Sequence, residues 1–495
     1  MLALMVPLAA VRLSAEVLDL PVERPLVDKA SVREISVELR HASIEIVVDP
    51  EAEPRIRARR RPAAPGTDPQ RRSSAEPAIR WGDREGVIEI TRVDGEGQIE
   101  IPIRLELVVH AAGKIWLRGS DLEVTVRQVL PAEAAPALEQ QPPGEGAAAG
   151  VDEAPPLLEL EVERSDVYLE GIRGARLTAT GGALVLERTR GELSLAATAA
   201  VVEIKSHVGD LRLRGNDSEF HLADHRGDLS LELQASRLVV RGGEGRLQGR
   251  TDGGRVELEG WRGRGQIEGD HAVVEVRQSG APEASLALEG RGLEVLVDHY
   301  EGAFTALLDG GGLRGGGVVG KVDITGRSRA VVRLVELDGE VRLNLASGAT
   351  ARLTDVAGKL VAEVEDSRLE VARVENLNLL ATGAEIFVTE LFRLGRLKAT
   401  DSRLELDLTA ISHNPTIILK GSSVAQVRLP LPCEVRVVEA GESIAERAEV
   451  TGCELRTRSH ASQRFSASPL VEGAVKLVAS VPEASSLTVQ GVPIL

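Results

Sequence analysis

Aromatic residues make up only 2% of this 495-residue chain, and it has two cysteines and two methionines. With so few rings, single-stranded nucleic acid or an extended sugar chain would find little to stack on. The three tryptophans, Trp81, Trp116 and Trp261, are too dispersed to form a binding row and are expected as strand or core residues. Positive charge is also short: 59 Lys and Arg against 76 Asp and Glu leave a formal net charge of -17. That balance opposes nonspecific attraction to nucleic acid or to an anionic membrane surface, and argues against a polyanionic partner. No apolar run is long enough for a transmembrane helix. There is no serine nucleophile elbow, dinucleotide glycine fingerprint, zinc-protease motif or paired-cysteine zinc pattern, which weighs against an enzyme and leaves no cofactor to expect.

What the chain does have is a period. Apolar pairs recur every 18 residues at Leu184/Leu186, Val202/Ile204, Phe220/Leu222, Leu238/Val240, Val256/Leu258 and Val274/Val276. A second ladder runs nine residues out of phase through Leu193/Leu195, Leu211/Leu213 and Leu229/Leu231, then weakly through Leu247 and Ile267. Between the ladders stand Gly191, Gly209, Gly227, Gly245 and Gly263. Strand alternation points each pair inward and the residue between it outward. One such coil cannot bury its apolar side, whereas stacked copies share a continuous core. The expectation is an all-β, single-stranded parallel β-helix, a solenoid of about 18-residue coils with atypical ends. The glycines are expected to take positive backbone torsions at the turns. A third, less regular edge strand has room near residues 198–200.

Residues 1–15 read as the remnant of an export signal, with an apolar run to Val11 and a small-residue exit at Ser14 and Ala15. Residues 16–130 read as N-terminal coils, 131–156 as a Pro/Ala/Glu-rich loop or linker, 157–430 as the main solenoid and 431–495 as C-terminal coils with a cap. A short helix or capping excursion is expected over residues 439–447. The Gly310–Gly312 and Gly315–Gly317 runs lack the lysine and hydroxyl of a phosphate loop and are expected as turns that interrupt the period. After them, strands are expected at Val322/Ile324, Val332/Leu334 and Ala351/Leu353. Cys433 and Cys453 are 20 residues apart, an interval compatible with a disulfide or with two unpaired buried thiols.

The chain resembles bacterial adhesin-like domain families of unknown function. The resemblance rests on Ser43-Ile44-Glu45-Ile46, on Ile101-Pro102-Ile103-Arg104-Leu105-Glu106-Leu107 leading into Gly113-Lys114-Ile115, and on repeats such as Val208-Gly209-Asp210-Leu211-Arg212-Leu213. It implies a β-solenoid, generally without an assigned reaction, often in exported proteins. The long Pro-Ala-Glu insertion and the two cysteines depart from those families.

Among polar residues, Glu203, His207, His221 and His225, with Asp224 nearby, are the most suggestive arrangement for metal-ligand chemistry. The 18-residue period lays Glu203 over His221 and His207 over His225. Turn or surface roles account for the same residues. Arg226-Gly227-Asp228 falls on a repeat turn and reads as turn structure before it reads as an attachment motif. The function expected from all this is a noncatalytic exported scaffold or protein-binding solenoid, periplasmic or at the cell surface. The alternative is a carbohydrate-binding or carbohydrate-cleaving β-helix. A protein or cell-surface glycan is the expected kind of partner, and coil ends give a route to self-association.

Overall fold

In the computed structural model the chain is an all-β parallel β-solenoid of about 15 turns, roughly 18 residues apart. The structure describes residues 157–408 without a break, and the strands with some connecting residues from 16 to 128 and from 410 to 493. No helix occurs among the described residues. The chain divides into two compact units, Met1–Ser230 and Leu231–Leu495.

In the first unit the apolar pairs stack in register: Leu184 beside Val202 beside Phe220, and Leu186 beside Ile204 beside Leu222. Leu193 and Leu195 lie beside Leu211 and Leu213 in the second ladder. All ten are at most 2% exposed, so the pairs are the core and the residue between them faces out. Each coil bends three times in this region. One bend is the glycine turn. Gly209 and Gly227 have φ of 130° and 134°, and a β-carbon on Gly227 would sit 2.3 Å from the Gly209 carbonyl oxygen. Only glycine permits both that torsion and that approach. A second bend carries Arg188, Ser206 and Asp224 at φ between 53° and 57°. The third is at Ala199 and Asp217, also left-handed, so the expected edge strand near residues 198–200 is a corner instead.

That corner has a repeated clamp invisible in the apolar pattern. The serine after the left-handed residue turns inward: Ser218 Oγ accepts from Ala200 N at 3.3 Å and donates to Asn216 O at 2.9 Å. The second unit repeats the device at Ser402, which accepts from Ala384 N and donates to Thr400 O. A buried hydroxyl thereby satisfies backbone groups that the corner would leave unpaired.

In the second unit the same coil returns, with corrections to the expected ladders. Leu247 and Ile267 are not stacked on each other: Leu247 lies beside Gly265 and Gly249 beside Ile267. A β-carbon on Gly249 would come within 2.8 Å of the Leu231 side chain, so glycine makes room where the large residue shifts by one inward place. Val322/Ile324 belongs to the second ladder, between Phe304/Ala306 and Val341/Leu343. Gly315–Gly317 do not interrupt the period, since they lie within the strand Gly312–Val319. A glycine column runs on through Gly302, Gly320, Gly339 and Gly358, with φ between 126° and 130°.

Near its start the first unit adds antiparallel pairs, Ala78–Arg84 with Val87–Val93 and Arg55–Arg60 with Ile103–Val109. Near its end the second unit does so too, with Ser462–Ser466 between Cys433–Val438 and Glu454–Ser459. Changing from parallel to antiparallel pairing gives the terminal strands partners of their own, a way to protect solenoid ends. Ala112–Ser120, before residues 129–156, pairs in parallel with Leu157–Glu170, after them. Residues 1–15, 131–156 and 439–447 lie outside the described residues.

Candidate functional site

Between the second bend and the glycine turn lies a short third edge whose inward residue stands two places before each turn glycine. In the first unit this column reads Thr189, His207 and His225. Single-residue bridges join Arg190 to Val208 and Val208 to Arg226, holding the edges in parallel. Thr189 is 3% exposed, and the two histidines are fully buried. Their rings stack with centroids 5.4 Å apart and planes 3° from parallel. Thr189 Oγ1 shares a 2.9 Å hydrogen bond with His207 Nδ1, and His225 donates from Nε2 to the Gly227 carbonyl at 3.1 Å. His207 Nε2 is buried without a hydrogen-bond partner.

Burial pushes the His207 pKa down to about 4, and the neighbouring His225 adds to the shift. The backbone around Asp210, Gly209 and Thr189 opposes it. The His225 pKa is lowered too, chiefly by burial, against backbone groups at Gly227 and Asp228 and the charges of Asp210 and Asp228. Both rings are therefore neutral near pH 7. With no route to solvent for a substrate, the pair is built for packing and not for proton transfer.

Glu203 and His221 stack as the period requires, but on the outer face. Lys205 Nζ holds Glu203 at 2.8 Å, and His221 Nε2 lies 3.1 Å from Glu219 Oε1. The four residues nominated together thus form two separate pairs, one in the core and one outside. Asp224 is at the bend, at φ 54°. Among the described residues no three His, Cys, Asp or Glu side chains converge as a metal site. Gly227 of the Arg-Gly-Asp sequence is a member of the glycine column. Cys433 is buried, 1% exposed, in the strand Cys433–Val438, and Cys453 lies outside the described residues.

The second unit carries a cleft of about 470 Å³ along the corner bends, lined among others by Arg250, Glu268, Asp270, Glu289, Arg291 and Asp309. Register sets its charges: Arg250 lies beside Glu268 and Glu268 beside Glu289, while Arg291 lies beside Asp309. The Asp270 pKa is lowered, chiefly because its carboxylate accepts from the Arg291 backbone N–H. A glycosidase general acid needs a shift in the other direction. Arg250, Arg291 and Arg327 stand among the carboxylates of the cleft, which suits a polar surface for binding better than a pair of carboxylates across a scissile bond.

The chain matches no protein-family model and no curated protein sequence, so the adhesin-like resemblance rests on the quoted motifs alone.

Proposed function

We propose that the protein is a noncatalytic, exported β-solenoid acting as a surface scaffold or protein-binding spacer. The observation that carries this reading is a division of labour among the described coils of the first unit: the two apolar ladders repeat inward, while the outer place of the first ladder changes from coil to coil. The outer place of the first ladder reads Val185, Glu203 and His221 in successive coils of the first unit, three chemistries at one position. A repeated catalytic or ligand subsite would constrain that place, and a scaffold need not. The buried histidines support the same reading, because His207 Nδ1 is bonded to Thr189 and His225 Nε2 to the Gly227 turn, both in the interior. Export is supported by the apolar opening and its Ser14-Ala15 exit.

Cell fractionation combined with a broad polysaccharide-cleavage screen tests the proposal. Recovery from an exported fraction with no product released is the expected result. Turnover of any glycan would overturn the noncatalytic part, and retention inside the cell would overturn the exported part.

A further inference from the structure

One outward column of the second unit changes character along its length. Its successive members are Glu257, Glu275, Leu296, Arg314, Arg333, Arg352, Glu370 and Phe387. At one stretch every charge is answered. Glu257 accepts from Arg237 at 2.9 Å and pairs with Arg255 at 3.0 Å, while Glu275, 3% exposed, pairs with Arg255 and with Arg277 at 2.9 Å. At the other stretch three arginines stand side by side, all exposed, and among the described residues none of them makes an ion pair.

The surroundings of these arginines are as regular as the column. Arg314 is flanked on its strand by outward Gly312 and Gly316, Arg333 by Val331 and Val335, and Arg352 by Thr350 and Thr354, each flank in register with the next. The result is a strip of three cations whose flanking residues on the same strands carry no charge of their own. Glu294 leans in at one end, its Oε2 within 2.7 Å of the place a β-carbon on Gly312 would take. At the other end Glu370 is occupied by Arg368, through bonds of 2.6 and 2.9 Å. Like charges placed opposite one another on neighbouring strands repel. A chain that neutralises Glu257 and Glu275 so fully leaves this repulsion unanswered.

We propose that Arg314, Arg333 and Arg352 form a binding site for a linear polyuronate, an acidic polysaccharide with one carboxylate per sugar, lying along the column and across the strands. Neighbouring strands are about 4.8 Å apart, so the three guanidinium groups present charge at that step over about 10 Å. An extended acidic peptide spaces its same-side carboxylates by two residues, about 6.6 Å, and falls out of step. In an extended two-fold polyuronate the carboxylates on one side recur every second sugar, about two coil steps, so they meet Arg314 and Arg352 with Arg333 between them, and its ring faces lie along the Val and Thr flanks. Guanidinium groups recognise carboxylates through paired, charge-assisted hydrogen bonds. The net charge of -17 opposes polyanions over the chain as a whole, so the attraction proposed is local to this strip. The inference stands apart from the scaffold reading, which survives if no glycan binds; cleavage of a glycan or retention inside the cell overturns that reading without bearing on this one.

Calorimetric titration of the full chain with an oligogalacturonate, its methyl-esterified counterpart, polyglutamate and single-stranded DNA tests it. Saturable binding to the free acid is expected, weakened by salt and lost on esterification. Arg333→Gln should weaken binding about tenfold, the loss expected for one charged hydrogen-bonding partner. The triple variant R314Q/R333Q/R352Q should abolish binding, and Arg241→Gln should leave it unchanged. The unfolding midpoint of the triple variant should not fall, because the exposed arginines repel one another. The proposal is overturned by absence of binding, by equal binding of the ester, by tighter binding of polyglutamate or DNA, or by a triple variant that binds normally or melts early.

Discussion

The third edge of the coil is built in two ways. In the first unit its inward column is Thr189, His207 and His225, closed by a shared hydrogen bond and a ring stack. In the second it passes through Ser279 and Tyr300 to Val318, Leu337, Val356, Val374 and Leu391, each beside the next. Tyr300 marks the change: its ring packs edge-on against Phe304 and its hydroxyl donates to Ala303 O at 3.3 Å. The backbone position is the same in both units, so the fold does not dictate polarity there. It demands that whatever points inward be filled by its neighbours one coil away. Apolar side chains meet that demand individually, whereas polar ones meet it only as a set.

The sharpest test of this shared architecture removes what both regions have in common. Gly227→Val and Gly339→Val should each cost about 4 kcal/mol, since both positions have strongly positive φ and a β-carbon would reach within 2.3 Å and 2.1 Å of a carbonyl oxygen. Urea unfolding with amide exchange resolved by peptide would show the loss around each site. An effect at only one of them would mean that the two regions are not the same coil.

Acid should then separate the regions. His207 has a folded pKa of about 4 against about 6.5 unfolded, so the unfolded chain binds the proton first as pH falls. Stability from this group is complete above pH 6.5, declines between 6.5 and 4, and is level below, a loss on the order of 3 kcal/mol. Amide exchange over residues 184–229 should accelerate across that window relative to residues 331–391. Equal acceleration would remove the histidines as the cause.

A smaller change should erase that difference. The double variant H207L/H225L converts the polar edge to the apolar kind, and its exchange should no longer depend on this titration. At pH 8 it should be less stable than the parent by about 1 kcal/mol, the cost of leaving the Thr189 hydroxyl without its partner. A persistent acid response would point to carboxylates instead. Smallest of all, Arg373→Ala breaks a solvent-accessible pair with Asp355 at a bend and should leave the unfolding midpoint unchanged within error.

Much of this architecture could be read in advance, and the misses share a cause. The first ladder, the start of the second and the glycine turns obey a strict interval, and apolar residues at that interval have one use. The third inward column had an equally strict rule, two residues before each turn glycine. Thr189, His207 and His225 hid it, because polar side chains in an inward place look like surface residues. The same disguise brought Glu203 and His221 into one imagined site with His207 and His225. Period fixes which residues are neighbours, but a strand bend between Glu203 and His207 decides that one looks out and the other in. Leu247 and Ile267 were misread because the inward residue moves by one place when glycine takes the other.

The chain by itself therefore determined the coil: its length, its two main apolar ladders and its glycine corners. These follow from alternation and from torsions that few residues adopt, both local properties. Only the tertiary structure decided which charges are answered and which are left bare, which histidines meet, and which serines clamp the corners. Each of those depends on side chains 17 to 21 residues apart arriving at the same height, and insertions such as the one between Gly280 and Ser285 reset that register coil by coil.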